Sequence, residues 1–165
     1  MAIKIAFADL TYTNQGISSN SFPYGISLVA SYAKKILGDE INIEIFKYPE
    51  DLKDYVERES PRIICFSNFS WTLDISHEFS KKIKEYLPDT IIIFGGPNYP
   101  LEIEEQKKFL ISYPAIDFYI RGEGEISFVE LFKNLKKFNF SIREFKEKKI
   151  TSGNCHYIHN NEIIV

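Results

Sequence analysis

Four stretches of the chain gather small, hydroxylated and aromatic side chains between apolar runs. The first, Asp9 to Phe22, holds Asp9, Thr11, Tyr12, Thr13, Asn14, Gly16, Ser18, Ser19, Asn20 and Ser21. The second is Ser67-Asn68-Phe69-Ser70-Trp71-Thr72, with the only tryptophan of the chain. Hydroxyls beside large aromatics can hydrogen-bond a ligand while covering its apolar face. The same residues would equally serve if Ser70 or Thr72 capped the next helix and Trp71 packed on the core. The third, Gly95-Gly96-Pro97-Asn98-Tyr99-Pro100, pairs two glycines, which let another backbone or a ligand approach with no Cβ in the way. The fourth is Arg121-Gly122-Glu123-Gly124-Glu125.

Catalytic constellations are scarce. The Gly-x-Gly of the fourth stretch is not a Walker loop, because no Gly-Lys-Ser/Thr follows. A dinucleotide fingerprint would stand after the first strand and carry a third glycine. Glu123 and Glu125 at a helix amino terminus would complement its dipole and repel a phosphate. Asp9 lacks the companion acidic pair and the lysine that a phosphoacceptor site needs, since Arg121-Gly122 stands where that lysine would be. Cys155, His156 and His159 do not make a metal site: on a strand His156 points away from the other two, and a fourth ligand is missing. His77 falls nearly opposite an apolar helical stripe, which predicts a solvated position.

The elements that must position these stretches alternate along the chain. Apolar runs Ile3–Ala8, Ile41–Phe46, Ile63–Phe66, Thr90–Phe94 and Asp117–Ile120 read as strands covered on both faces. Between them, Ile26, Val29, Ala30, Ala33 and Leu37 recur at helical spacing, with Gly38 as a stop. Pro49 opens a short helix to about Glu57, and Ile75, Phe79, Ile83 and Leu87 form an i, i+4 stripe ended by Pro88. A weaker helix covers Leu101–Leu110, and a last one runs from Glu125 to Lys137. This alternation predicts an α/β fold: a flavodoxin-like, Rossmann-like, three-layer, doubly wound parallel sheet of five strands in the order 2-1-3-4-5. Phe140–Lys149 reads as a solvated connection, and Asn160-Asn161 as the turn of a C-terminal β-hairpin. The expected division is an α/β domain over 1–140 followed by connection and hairpin over 141–165. In such folds ligands sit beyond the carboxyl ends of the strands, where the winding reverses. All four stretches fall there. The first is also roughly 14 residues long, against about 2–6 for most such connections.

With 20 basic and 23 acidic side chains, the net charge of −3 argues against a nucleic-acid or anionic-membrane partner. The amino-terminal residues lack the apolar core of a signal peptide, and no run approaches the ~20 apolar residues of a membrane span. Two cysteines make no disulfide framework, so a cytoplasmic location is expected.

Taken together, the loop sequences resemble the amino-terminal cobalamin-binding domain of B12-dependent radical SAM proteins. The matching stretches are Phe22-Pro23-Tyr24-Gly25-Ile26, Phe66-Ser67-Asn68-Phe69-Ser70-Trp71, Phe94-Gly95-Gly96-Pro97-Asn98-Tyr99-Pro100 and Asp117-Phe118-Tyr119-Ile120-Arg121-Gly122-Glu123-Gly124-Glu125. The resemblance implies a corrinoid across the strand tips with its nucleotide tail inserted beside the sheet. The implied cofactor-binding residues are Thr11, Tyr12, Ser67, Asn68, Ser70, Trp71, Gly95, Gly96, Pro97, Asn98, Arg121, Gly122, Glu123 and Gly124. A bulky residue at Gly96 is then expected to close the tail slot and leave the fold intact.

Two departures from the family refine this expectation. The familiar cobalamin motif places a histidine in the loop after strand one, and none occurs between Asp9 and Phe22. Base-off, His-off binding is implied. The three-cysteine CxxxCxxC motif of a radical SAM domain is also absent, so a [4Fe-4S] cluster and S-adenosylmethionine (SAM) would belong to a missing downstream domain, acting in cis or in trans. The chain is accordingly expected to be a fragment, with the hairpin leading toward that domain, and to catalyse nothing alone. Two other functions fit the same residues. Thr11, Thr13, Ser18 and Ser19 could hold a flavin phosphate, or the aromatics could form a cofactor-free surface for a partner.

Overall fold

A computed structural model of the chain describes residues 2–12 and 21–165. Thr13, Asn14, Gly16, Ser18, Ser19 and Asn20 of the first loop lie outside the described residues.

The strands are β1 (Ile3–Ala8), β2 (Ile41–Phe46), β3 (Ile63–Ser67), β4 (Ile91–Gly95), β5 (Phe118–Ile120), β6 (Cys155–His159) and β7 (Glu162–Ile164). The helices are α1 (Tyr24–Leu37), α2 (Pro49–Glu59), α3 (Leu73–Tyr86), α4 (Ile103–Ser112), α5 (Glu125–Lys137) and α6 (Ile142–Glu147). One sheet runs in the order β2-β1-β3-β4-β5-β6-β7, its first five strands parallel in the expected 2-1-3-4-5 arrangement. The C-terminal hairpin does more than cap the fold. It pairs antiparallel with β5, Tyr119 facing His156 and Ile120 facing Cys155, so the sheet has seven strands. A three-residue β5 would otherwise leave open backbone groups along its outer side.

Alternation along each strand divides the core. Ile5, Phe7, Ile63, Cys65, Ile91, Ile93 and Phe118 face one side, buried under Ile26, Ala30 and Ala33 of α1 and Phe128, Leu131 and Phe132 of α5. Ala6, Ala8, Ile64, Phe66, Ile92, Phe94 and Tyr119 face the other, with Leu52 of α2, Ile83 of α3 and Leu110 of α4. Both layers exclude water, which is why these strands read as continuous apolar runs.

Two expectations from helical spacing change. On α3 the most deeply buried positions are Ser76, Ser80 and Ile83, while Ile75, Phe79 and Leu87 are half-buried flanks. Ser80 donates to the Ser76 carbonyl (2.7 Å), which satisfies its hydroxyl inside the helix and brings a small face against the sheet. His77 is half-buried and not solvated: its ring stands edge-on to Tyr113 (4.8 Å) and its Nε2 is buried with no hydrogen-bond partner. Burial accordingly lowers its pKa.

The stretch Phe140–Lys149 is not a solvated connection. It contains α6, whose Ser141 side chain accepts from the Glu144 N–H (3.2 Å) as an N-cap. Phe145 is wholly buried, its ring against Phe118 (5.2 Å), Tyr157 (5.8 Å) and Phe138 (6.0 Å). Lys146 lays its amine over the Phe118 ring (5.4 Å), and burial lowers its pKa. The exposed charges of Arg143, Glu144, Glu147 and Lys148 hide one anchoring aromatic in the sequence.

The tips of β3 and β4 are locked by a buried amide. Asn68 Nδ2 donates to the Asn98 carbonyl (2.6 Å) and to the Tyr119 hydroxyl (3.0 Å), which itself donates to the Gly96 carbonyl (2.9 Å). The Asn68 N–H donates to the Gly95 carbonyl (2.7 Å), and the Asn98 N–H to the Asn68 carbonyl (3.2 Å). Gly96 has φ +132°, and a Cβ there would stand 2.6 Å from the Asn68 carbonyl oxygen. Backbone cannot give way as a flexible side chain would. A bulky residue at Gly96 would therefore strain the β3–β4 tips as well as narrow the cleft, so its effect on binding would not be separate from its effect on the fold.

Two stability outcomes follow from these contacts. Phe145→Ala should cost about 3 kcal/mol in denaturant unfolding, as other buried Phe→Ala changes do; a loss below about 1 kcal/mol would show that α6 is not an anchor. Gly96→Ala should lower stability by about 2 kcal/mol or more through strain and collision with Asn68, read as a fall in Tm.

Candidate functional site

A cleft of about 270 Å³ opens above the carboxyl ends of β1, β3, β4 and β5 on the α1/α5 side of the sheet. Its position follows from the winding. α1 leaves β1 toward one face, whereas α3 leaves β3 toward the other, and the strand tips between them stay uncovered.

Each wall has a local cause. Gly25, Ile26, Leu28 and Val29 come from the first turns of α1, and Gly124, Glu125 and Phe128 from the start of α5. A Cβ on Gly124 would lie 3.0 Å from Val29 Cγ2, so a glycine is what lets the two helix starts close to this distance. Gly25 differs: a Cβ there would meet nothing within 4 Å among the described residues. A side chain at Gly25 would therefore project into open space at the cleft. The floor is Phe7, Cys65 and Ile93, all buried strand residues.

Of the residues singled out from the sequence, Ser67, Gly95, Gly96, Pro97, Gly122, Glu123 and Gly124 line this cleft together. Asn68 and Asn98 do not line it; their side chains are engaged in the β3–β4 lock. Trp71 is 63% exposed and outside the cleft, its ring stacked on Phe69 (4.9 Å, 7° between planes), which is a lining residue. It is thus not a core residue. Ser70 is exposed beside it. Thr72 stands at the start of α3, where its hydroxyl accepts from the Phe69 N–H (3.0 Å). Thr11 is buried, Tyr12 is exposed, and neither lines the cleft. Arg121 is exposed, and its N–H donates to the Asn154 carbonyl (2.9 Å), tying the loop to the segment before β6.

Sequence reasoning missed Gly25, Leu28, Val29, Phe7, Cys65, Ile93 and Phe128. All but Gly25 carry apolar side chains, and in the sequence a side chain that borders a cleft looks the same as one in the core. The signal available was the glycine at the opening of a helix, where it costs helix stability and needs another reason.

The electrostatics suit a neutral, largely apolar guest. Among the described lining residues there is no lysine, arginine or histidine. Burial raises the pKa of Asp9, at the tip of β1, against the pull of Lys47 and of a hydrogen bond with Ser67. Burial also pushes the Cys65 thiol well up, which removes it as a nucleophile or thiolate ligand. On β6, Cys155 packs into the α1/α5 core while His156 Nδ1 lies 3.3 Å from the Tyr99 hydroxyl on the opposite side. Burial, then Arg121, lowers the pKa of that imidazole.

This arrangement has counterparts among known proteins. The B12 binding domain family matches residues 16–132. The cobalamin-dependent radical SAM methyltransferase TokK of Streptomyces tokunonensis is 30% identical over 71 residues, which is 43% of this chain and 10% of that protein. The solved structure of the cobalamin-dependent S-adenosylmethionine radical enzyme OxsB, with aqua-cobalamin and S-adenosylmethionine bound, shares the fold at TM-score 0.68 and 16% identity; the match covers 98% of this chain and 22% of that one. A cobalamin-binding protein from Desulfitobacterium hafniense DCB-2 shares it at TM-score 0.58 and 14% identity, over 79% of this chain and 57% of that one. The chain thus corresponds to a minor part of each radical SAM relative. By sequence match over most of its length, and by a fold that both structural counterparts share, the chain belongs to the B12-binding domain family.

Proposed function

We propose that this chain holds a cobalamin for a radical SAM enzyme, with the corrin ring over the strand tips and the nucleotide tail in the α1/α5 cleft. The observation that carries the reading is the cleft itself: an apolar slot at the winding reversal, with Gly25, Gly95, Gly122 and Gly124 where a ligand would pass. The residues present fit such a group. At Gly25 and Gly122 a Cβ would meet no atom of the described residues within 4 Å, which leaves space among them at the entrance for a ligand. An engineered apolar cavity of ~150 Å³ takes up benzene, so a slot of about 270 Å³ has room for the bicyclic base of the tail.

Ser67, Gly95, Gly96, Pro97, Gly122, Glu123 and Gly124 would border the tail. Tyr12, Ser70 and Trp71 would lie nearer the ring, Trp71 and Phe69 offering a stacked aromatic pair at the rim. Thr11 and Arg121 would flank the site, and Asn68 and Asn98 would act by holding the β3–β4 tips. His77, His156 and His159 are the only histidines of the chain, and none lines the cleft. The cobalt would therefore receive no imidazole from the cleft, giving base-off, His-off binding. When bound, cobalamin supplies a cobalt centre able to carry a methyl group. The chain's own part is to bind and orient it, and the cluster and SAM would come from a separate domain in cis or in trans. TokK, to which this chain is similar, is itself a cobalamin-dependent radical SAM methyltransferase.

Titration with hydroxocobalamin should give one equivalent bound, co-elution on gel filtration and a base-off visible spectrum. Gly25→Trp should weaken binding by about 100-fold while its Tm stays within a few degrees of the parent, since the new side chain enters open space. Parent-like binding by this variant would remove the tail from the cleft. Trp71→Ala should leave stability within about 0.5 kcal/mol, as at other exposed positions, and weaken cobalamin by roughly tenfold through lost stacking. An unchanged dissociation constant would take Trp71 out of the site.

A further inference from the structure

The cleft has an uneven distribution of polar groups. Its inner wall is Phe7, Ile26, Cys65, Ile93, Ile120 and Phe128, each buried to 8% exposure or less. Its polar side chains, Ser67, Glu123 and Glu125, are more exposed and stand toward solvent. The β3, β4 and β5 backbones behind the wall are paired in the ladder. Among the described residues, the side chains of that wall offer a guest no donor or acceptor apart from a buried thiol, which is a weak one.

Resting on the reading that this cleft takes the nucleotide tail, we propose that it selects among cobamides by the chemistry of their lower base, accepting benzimidazole and phenolic bases and disfavouring purines. Size does not make the distinction, since adenine and benzimidazole are both bicyclic. Polarity does. Adenine carries ring nitrogens and an exocyclic amine that are hydrogen-bonded in water and would be left unpaired against Phe7, Ile93 and Phe128. A benzimidazole turns a hydrocarbon edge to the same wall, and a phenolic base turns a hydrocarbon ring. Burying an unpartnered polar group costs enough to weaken binding at least tenfold.

The test compares four corrinoids against the parent chain by absorbance titration and gel filtration: cobalamin, a phenolyl cobamide, an adeninyl cobamide, and cobinamide, which has no tail base. Benzimidazole coordinates cobalt more strongly than adenine does, so lifting it off works against a cobalamin preference; a phenolic base does not coordinate cobalt and pays no such cost, so the cobalamin–adeninyl comparison decides the selectivity. The supporting result is binding of cobalamin and the phenolyl form at least tenfold tighter than the adeninyl form. Equal binding of the three base-bearing forms, all tighter than cobinamide, overturns the selectivity and keeps the tail in the cleft. Cobinamide binding as tightly as the other three overturns both the selectivity and the tail placement. Failure of all four to bind overturns the selectivity together with the cobalamin reading.

Discussion

The reversal of winding at β1 is the constraint from which the site follows. β1 sends its chain to α1 on one face and β2 on one side, while β3 sends α3 to the opposite face and continues the sheet the other way. Helices cannot cover the tips at the point where they diverge. The cleft is the space so left, and its walls are the elements nearest it: the first turns of α1 and α5 and the ends of β3 and β4. Everything that makes the cleft precise acts on those elements. Gly124 lets α5 close on Val29 of α1, and Gly96 lets the β4 tip rest on the backbone of Asn68.

Two kinds of polar group coexist at the strand tips, with separate roles. Asn68, Asn98 and Tyr119 are satisfied by one another and by the Gly95 and Gly96 carbonyls, so a ligand has little to gain from them directly. A buried network of this kind is stabilising only when all its members are paired. The hairpin strengthens it from the far side, since Tyr99 stacks on Tyr119 (3.8 Å) and reaches His156 of β6. Glu123 and Glu125 remain at the cleft, more exposed, with Ser67 beside them hydrogen-bonded to Asp9.

Much of the fold was legible because buried parallel strands and amphipathic helices leave strong periodic signals. β1 and α5 have the expected bounds, and the strand order is the expected one. The failures share a physical cause: local pattern does not report distant partners. α6 reads as a charged linker because its buried side is one phenylalanine wide, and α3 conceals its deepest face behind serines. For the candidate site, glycines and hydroxyls at strand ends pointed to the strand tips where the cleft lies, and seven of the fourteen residues expected to bind cofactor line it. Asn68, expected among the cofactor-binding residues, stands beside the cleft with its amide turned into the β3–β4 lock. Its amide could serve either purpose, and only the position of Tyr119 across two strands decides.

The chemistry of the cleft also explains why its apparent phosphate signals mislead. Gly122-Glu123-Gly124 opens α5, and a helix start with adjacent glycines is the usual cradle for an anion. Here the first turn carries the carboxylate of Glu125, with Glu123 just before it, and Glu125 already complements the helix dipole. No cationic side chain lines the cleft among the described residues to offset their charge. A phosphate would thus be disfavoured at the start of α5, so the proposed tail would keep its phosphodiester toward solvent and turn only its uncharged base to Phe7, Ile93 and Phe128. On the proposed function the glycines would serve approach and not charge: they thin the walls so that a flat group could pass between two helix starts, and the buried apolar floor would provide the attraction once it had passed.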